Sequence, residues 1–307
     1  MDRRVIAVLL AGTLRPTPLR EALGQPVLCL PLGRSGTLLD AWFDVLRQID
    51  ELSEIRVVLN GQADVEAVDA AMNSTLGHER RGPAVHCLAD QQAWRGPAGI
   101  VRDITEDLDT DDSVILVEAL RLPPPTLSPL VDAFTEHCDG VVGLVGEDQP
   151  AGVYMFRQHA LQQTAAIGYR DLKEQLIPAL SQGGAKITTA PLGEVSHAIR
   201  DRAEYLKAVR TSLELDKRIA ASAAVSNSAL LEGFCVIEPG AIIGDGAVVH
   251  DSVVLSHAVI GGGAVVSRSI IGASVAIASR CQIVQQIVCE PKIFGAESLL
   301  EHRALAG

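Results

Sequence analysis

IEPGAIIGDGAVVHDSVVL, residues 237–255, carries an aliphatic residue at every sixth position: Ile237, Ile243, Val249 and Leu255. The spacing runs back through Leu231, Val225 and Ile219. Forward, a five-residue step leads to Ile260 and Val266, and a second leads to Ile271, Ile277 and Ile283. Four residues after each aliphatic comes a small or apolar one: Ala223, Ala229, Cys235, Ala241, Ala247, Val253, Val259, Ala264, Ile270, Val275, Cys281 and Ile287. Turn residues such as Pro239-Gly240 and Asp245-Gly246 lie between them. This spacing predicts a hexapeptide-repeat left-handed β-helix over residues 219–289, with one short flat strand per unit and three units per triangular coil. Inward aliphatics stack along its axis and neighbouring rungs pair their backbones. Residues 290–307 form a tail, expected to make a short helix (Ser298–Leu305) that caps the open end or meets a partner.

The first two thirds of the chain have a different grammar. Val5–Leu10, Ile55–Leu59, Ala84–Leu88, Val114–Val117, Val141–Val145, Gly152–Phe156 and Lys186–Ala190 read as strands. Thr37–Asp50, Val65–Met72, Ile100–Leu108, Leu127–Phe134 and Asp171–Leu180 have apolar residues at helical spacing. That βαβα order predicts an α/β domain over residues 1–201, doubly wound around a mostly parallel sheet. In such sheets ligands bind beyond the carboxyl ends of the strands. A helical segment, residues 202–218, links the two domains.

Composition narrows the function classes. The 307 residues are 48% hydrophobic but only 3% aromatic, so the cores are aliphatic. A net charge of −12 argues against nonspecific binding to nucleic acid or to an anionic membrane surface. Cys29, Cys87, Cys138, Cys235, Cys281 and Cys289 form no CxxC pair and read as small buried hydrophobes, not a disulfide or zinc framework. The apolar run near the N-terminus is short and leads straight into a loop, so it reads as a first strand and not a signal peptide. No apolar stretch is long enough to span a bilayer. The expected compartment is the cytoplasm.

The loop after the first strand, Leu10-Ala11-Gly12-Thr13, is the first candidate site, because backbone N–H groups in such loops hold phosphates. It has one glycine where a phosphate cradle has several. Leu10-Ala11-Gly12 and Thr13-Leu14-Arg15-Pro16-Thr17 match the two ends of a G-G-x-G-T-R-L-R-P-L-T signature, and Gln25-Pro26 stands where K-P follows it. Gly96-Pro97-Ala98-Gly99 is similar to a G-T-A-G base and sugar pocket, and Ala151–Phe156 to N-A-G-I-Y-V-F. Asp171-Leu172-Lys173-Glu174 through Ile177-Pro178 is similar to a D-x-E-x-x-x-x-P helix. With the β-helix behind them, these motifs resemble the sugar-1-phosphate nucleotidylyltransferases, or nucleotide-sugar pyrophosphorylases, over nearly the whole chain. The mannose-1-phosphate guanylyltransferase branch is most similar.

The resemblance implies a reaction in which a sugar 1-phosphate attacks the α-phosphorus of an NTP, giving a nucleotide sugar and pyrophosphate. It implies a glycine loop, an Arg, a Lys and Mg²⁺ held by two Asp as the catalytic apparatus. This chain departs from that pattern at each part. The G-x-G insertion and the signature's first Arg are missing, and Gln25 replaces the Lys. Ala119, in Val117-Glu118-Ala119, stands where the first metal Asp belongs. Ala198, in Ser196–Tyr205, takes the place of the second. The central E-K-P segment is reduced to Glu147-Asp148-Gln149-Pro150.

The favoured reading is therefore a relative that has lost catalysis and acts as a noncatalytic or regulatory subunit or as a nucleotide-sugar-binding protein. Leu10, Ala11, Gly12, Thr13, Gly96 and Gly99 would frame its ligand, with Arg15 and Gln25 as vestiges of the catalytic set. Its partners would be a nucleotide sugar or sugar phosphate, and like or unlike subunits packed through the β-helix. The alternative is an active nucleotidylyltransferase with a remodelled site, in which Glu118 and Asp201 hold Mg²⁺; Glu118 is one position off and points the other way on a strand. Each candidate has a plainer reading. Arg15 either contacts a phosphate or covers the sheet end. Asp201 reads as a helix N-cap. His197 reads as a lone exposed histidine, and Trp94 as a packing residue more than a base-stacking one. A third reading, a hexapeptide acyltransferase using His250 or His257 as base, lacks a loop to build an acyl-donor pocket, and both histidines are expected on turns.

Overall fold

A computed structural model describes residues 3–12, 16–33, 36–75, 82–90, 93–194, 196–213 and 216–289. The chain forms two compact units. One comprises Met1–Pro16, Pro26–Leu30 and Gly36–Ala198, the other Thr17–Gln25, Pro31–Ser35 and Ile199–Gly307. The elements before the repeats run β1 (Val5–Leu10), α1 (Pro18–Leu23), α2 (Leu38–Leu46), β2 (Leu52–Leu59), α3 (Gln62–Thr75), β3 (Ala84–Ala89), α4 (Gly96–Ile104) and β4 (Ser113–Glu118). They continue with α5 (Ser128–Ala133), β5 (Gly140–Val145), β6 (Gln149–Arg157), α6 (Gln158–Gln162), α7 (Ile177–Gln182), β7 (Ile187–Pro191) and α8 (Arg202–Ser212).

The first unit is built on one sheet of order β3-β2-β1-β4-β6-β5-β7. Strand β6 runs antiparallel to β4 and β5, and the other pairs are parallel. The predicted α/β, mostly parallel architecture is present. β1 lies between β2 and β4, so its residues Ile6, Ala7, Val8 and Leu9 are all fully buried, as a continuous apolar run requires. Helix α2 is capped by a reciprocal pair: Asp40 N–H donates to Thr37 Oγ1 at 3.2 Å, and Thr37 N–H donates to Asp40 Oδ2 at 2.7 Å. It buries Leu38, Leu39, Trp42, Phe43, Val45 and Leu46.

Two local readings change. Residues 16–26, outside the segments with helical spacing, contain α1. Thr17 caps it through the Arg20 N–H at 3.3 Å, Pro18 opens its first turn, and Gly24 ends it with φ +65°. Helix α4 starts at Gly96 and not at Ile100, because the Arg170 carbonyl accepts the Ala98 N–H at 3.1 Å and supplies the missing partner for its first turn.

In the second unit, parallel strands of two to eight residues stack from Lys217–Ile219 to Ile287–Val288, an arrangement consistent with a β-helix. Three inward columns follow the register: Ile219, Ile237, Val254, Ile271 and Val288; Val225, Ile243, Ile260 and Ile277; Leu231, Val249, Val266 and Ile283. The first five-residue step therefore falls between Val249 and Val254, not between Leu255 and Ile260. Val259, the apolar residue four after Leu255 in that spacing, is 37% exposed. The short corner has its own chemistry. Asp251 and Arg268 turn with φ +47°, and the small inward residue after each is a serine. Ser252 Oγ donates to the His250 carbonyl at 2.7 Å and accepts the Ser269 N–H at 3.0 Å. Ser269 Oγ donates to the Ser267 carbonyl at 2.7 Å and accepts the Gln286 N–H at 3.1 Å. A reading that follows apolar residues passes over these serines.

Ser252→Ala is expected to cost about 1–3 kcal/mol, the penalty of an orphaned buried N–H. Val259→Ser is expected to change stability by less than about 0.5 kcal/mol, as for an exposed position. Urea unfolding of the full chain reads both, and the reverse ranking would restore the original register.

Candidate functional site

Strand β1 carries Leu10, Ala11 and Gly12 to the carboxyl edge of the sheet. The Ala11 and Gly12 N–H groups both donate to the Val58 carbonyl, at 2.9 and 3.0 Å, and the Leu10 carbonyl accepts the Ala119 N–H at 3.0 Å. These are the groups a phosphate loop would offer, and they are spent on extending the pairing of β1 with β2 and β4. Thr13 and Arg15 lie outside the described residues. Gln25 is half-buried just after Gly24.

Ala119 is fully buried, and its carbonyl accepts the Trp42 Nε1–H at 3.0 Å. Ala198 forms an isolated antiparallel bridge with Arg121, and the Leu122 N–H donates to the His197 carbonyl at 2.8 Å. The two alanines that stand in metal-Asp positions thus lie on adjoining segments, with Arg121 between them. His197, expected to be exposed, is half-buried in this pairing.

Glu118, at the end of β4, is surrounded by donors. The Tyr154 hydroxyl donates to its Oε1 at 3.0 Å, Lys173 Nζ lies 2.7 Å from the same oxygen, and Arg121 Nη1 lies 3.7 Å from Oε2. Arg121 is oriented by Ser196: its Nε donates to Ser196 Oγ and its Nη2 to the Ser196 carbonyl, each at 2.9 Å. Gly152 makes room for it. That residue has φ +76°, and a Cβ there would lie 2.6 Å from Arg121 Cδ. Tyr154 is buried, and desolvation, followed by the Glu118 charge, pushes its phenol far above the ordinary tyrosine range. It therefore remains a neutral donor. Arg121, Lys173, Tyr154 and Ser196 were not candidates from sequence; Lys173, Tyr154 and Ser196 come from segments that reach Glu118 and Arg121 only when the sheet forms.

Gly96 and Gly99 mark the start of α4. Gly96 has φ +73°, and a Cβ there would lie 2.5 Å from the Arg170 carbonyl oxygen. Arg170 is tied from both sides, since its own N–H donates to the Arg95 carbonyl at 2.8 Å. Gly99 packs on Arg95, which is buried and bonded to Asp103 at 3.0 and 2.9 Å. Because Arg95 turns inward to that carboxylate, its neighbour Trp94 is left 57% exposed, contrary to the expectation that it packs. A cavity of 230 Å³ opens nearby, lined by Val58, Leu88, Ala89, Asp90, Ile100, Asp103 and Ile104.

The remaining candidates have structural partners. Asp201 caps α8, accepting the Glu204 N–H at 2.9 Å. His250 lies on a strand and not on a turn, with Nδ1 3.4 Å from Ser267 Oγ and Nε2 3.6 Å from Asp251. His257 does sit at a turn, with φ +60°. Of the six cysteines only Cys138 and Cys235 are buried; the other four are half-buried. Desolvation pushes the Cys29 and Cys235 thiols up to about 11 and that of Cys87 up to about 12, so none of these three is a thiolate nucleophile at neutral pH.

Mg²⁺, which the resemblance implies, does not fit these residues. A hard cation needs oxygen donors, and Ala119 offers no side-chain oxygen from its buried position. The Glu118 oxygens already face an ammonium, a phenol and a guanidinium. Among the described residues, no group of three or more His, Cys, Asp or Glu is placed to hold a metal.

Residues 216–302 match the family described as GMPPB C-terminal domain. Among solved structures, the chain is similar to the inositol-1-phosphate CTP transferase from T. maritima, with a TM-score of 0.50 and 16% identity, covering 66% of this chain and 92% of that one. No curated protein matches. Among the described residues, no helix is long and apolar enough to cross a membrane. The C-terminal repeats are thus similar to the GMPPB C-terminal domain, and the fold of the chain is similar to that of a nucleotidyltransferase.

Proposed function

We propose that this chain binds a nucleotide sugar or a sugar 1-phosphate without turning it over, and serves as a noncatalytic or regulatory subunit beside an active relative. One observation carries the reading: the position of the first metal carboxylate is a fully buried alanine, closed by Leu10 and Trp42. The loop amides at Ala11 and Gly12, spent on Val58, support it. Nucleotidyl transfer depends on neutralising the charge that develops on the phosphates, and these groups no longer supply that.

The outward face of the repeats supports a subunit role. Ala224, Ile242, Val259 and Ala276 stand side by side on one sheet, with Ile242 46% and Val259 37% exposed. Such an apolar column suits packing against a like or unlike subunit. Cysteines scattered without a disulfide framework suit a reducing compartment, the cytoplasm.

The test incubates the protein with Mg²⁺, a panel of NTPs and sugar 1-phosphates, and follows pyrophosphate release. No turnover above the protein-free blank is expected, together with a rise in unfolding temperature with GDP-mannose or another nucleotide sugar. At 100-fold excess over Kd, that binding is worth about 2.7 kcal/mol. Mg²⁺-dependent turnover would overturn the noncatalytic reading. A flat thermal response to every ligand would overturn the binding reading.

A further inference from the structure

We propose that Arg121 and Lys173 form a phosphate-binding site that works without a divalent ion, with Glu118 as the internal anion that the ligand displaces. The inference rests on the binding function proposed above and deepens it by naming the groups that take the phosphate. It starts from the misfit of Mg²⁺. Where the resemblance expects two carboxylates around a cation, the chain has one carboxylate between two cations. Lys173 Nζ is 2.7 Å and Arg121 Nη1 3.7 Å from the Glu118 oxygens.

The Arg121 guanidinium and the Lys173 backbone are held in place independently of Glu118. Arg121 is fixed by its two bonds to Ser196 and by the space that Gly152 leaves for its stem. Its Nη1 points at Glu118 as an ion pair too long for a hydrogen bond. Lys173 sits on a segment anchored by Asp171, whose Oδ1 accepts the Lys173 and Glu174 N–H groups at 2.7 and 2.8 Å. The Asp171 carboxylate is thereby engaged in capping.

The side chains of Arg121, Glu118 and Lys173 are 20, 29 and 40% exposed, so an anion from solvent can reach them and Glu118 can swing outward. A phosphate carries more charge than a carboxylate and offers three oxygens, which suits a guanidinium and an ammonium acting together. When Glu118 leaves, the neutral Tyr154 hydroxyl becomes a third donor for the same ligand. In a protein of net charge −12, two cations converge here on one carboxylate. The cavity by β3 is lined instead by Asp90 and Asp103.

The experiment measures binding of GDP-mannose, glucose 1-phosphate and inorganic pyrophosphate by titration calorimetry to the full chain, with Mg²⁺ and with EDTA. Affinity is expected to change less than twofold between the two buffers. Arg121→Gln and Lys173→Gln are each expected to weaken binding about tenfold or more, the scale of one charge-assisted hydrogen bond. Glu118→Gln is expected to tighten it severalfold. Unfolding temperatures of the three variants check that each is folded. Binding that EDTA abolishes, or that survives both cation variants unchanged, overturns this site while leaving the binding function intact. If pyrophosphate binds with these dependences but no nucleotide sugar or sugar phosphate does, the site stands and the proposed function falls. No binding to wild type or to Glu118→Gln overturns both.

Discussion

Ala119→Asp is expected to destabilise the protein by about 3–5 kcal/mol, the scale of an uncompensated buried charge, and to restore no pyrophosphate release. The variant puts back the residue that the resemblance expects. Its side chain, however, would start from a position with no exposure, where the backbone is already bonded to Leu10 and Trp42. Its neighbours on β4, Val117 and Leu116, are fully buried and apolar. Burial raises the new carboxyl above its unfolded value of about 3.9, so the folded state binds the extra proton. The deficit is therefore smallest below that value and grows as pH rises through it, up to the folded pKa. Urea unfolding at acidic and neutral pH measures it. A variant as stable as wild type at neutral pH, or one that gains Mg²⁺-dependent turnover, would show that the slot still accepts a metal ligand.

Gly96→Ala should lose about 2–4 kcal/mol. Roughly 1–2 kcal/mol comes from holding a Cβ at left-handed φ. The rest comes from a contact that cannot relax, because the atom 2.5 Å from the new Cβ is the Arg170 backbone carbonyl and not a flexible side chain. Moving that carbonyl breaks its bond to the Ala98 N–H, and the Arg170 N–H is pinned to Arg95. Gly61→Ala is the control. It has open space and no left-handed φ, so a change below about 0.5 kcal/mol is expected. Equal stability of the two variants would mean that the segment carrying Arg170 is not seated on α4 as described.

Much of the candidate site was legible as departures from the motifs it resembles. Gln25, Ala119 and Ala198 stand out in the sequence because the motifs around them are recognisable, and a missing carboxylate needs no structure to be noticed. The cations around Glu118 were not legible. Arg121 and Lys173 are separated along the chain, and neither belongs to a phosphate motif. Arg121 lies three residues after Glu118, with its side chain fixed by Ser196, whereas Lys173 reaches Glu118 from a segment far along the chain. The register of the repeats shows the same limit. Hexad spacing reports apolar positions, and the short corner is set by Ser252 and Ser269, whose inward place depends on hydrogen bonds between coils.

The sequence alone determined the two architectures, because each rests on a short period. Aliphatics every six residues make flat stacked strands, and alternating apolar runs and helical faces make a mostly parallel sheet. Tertiary structure decided the fate of the polar groups. Whether the amides of Ala11 and Gly12 face a ligand or Val58, whether Trp94 or Arg95 turns inward, and whether Glu118 meets a metal or two cations are long-range contacts. They depend on which strands become neighbours, and no local period encodes that.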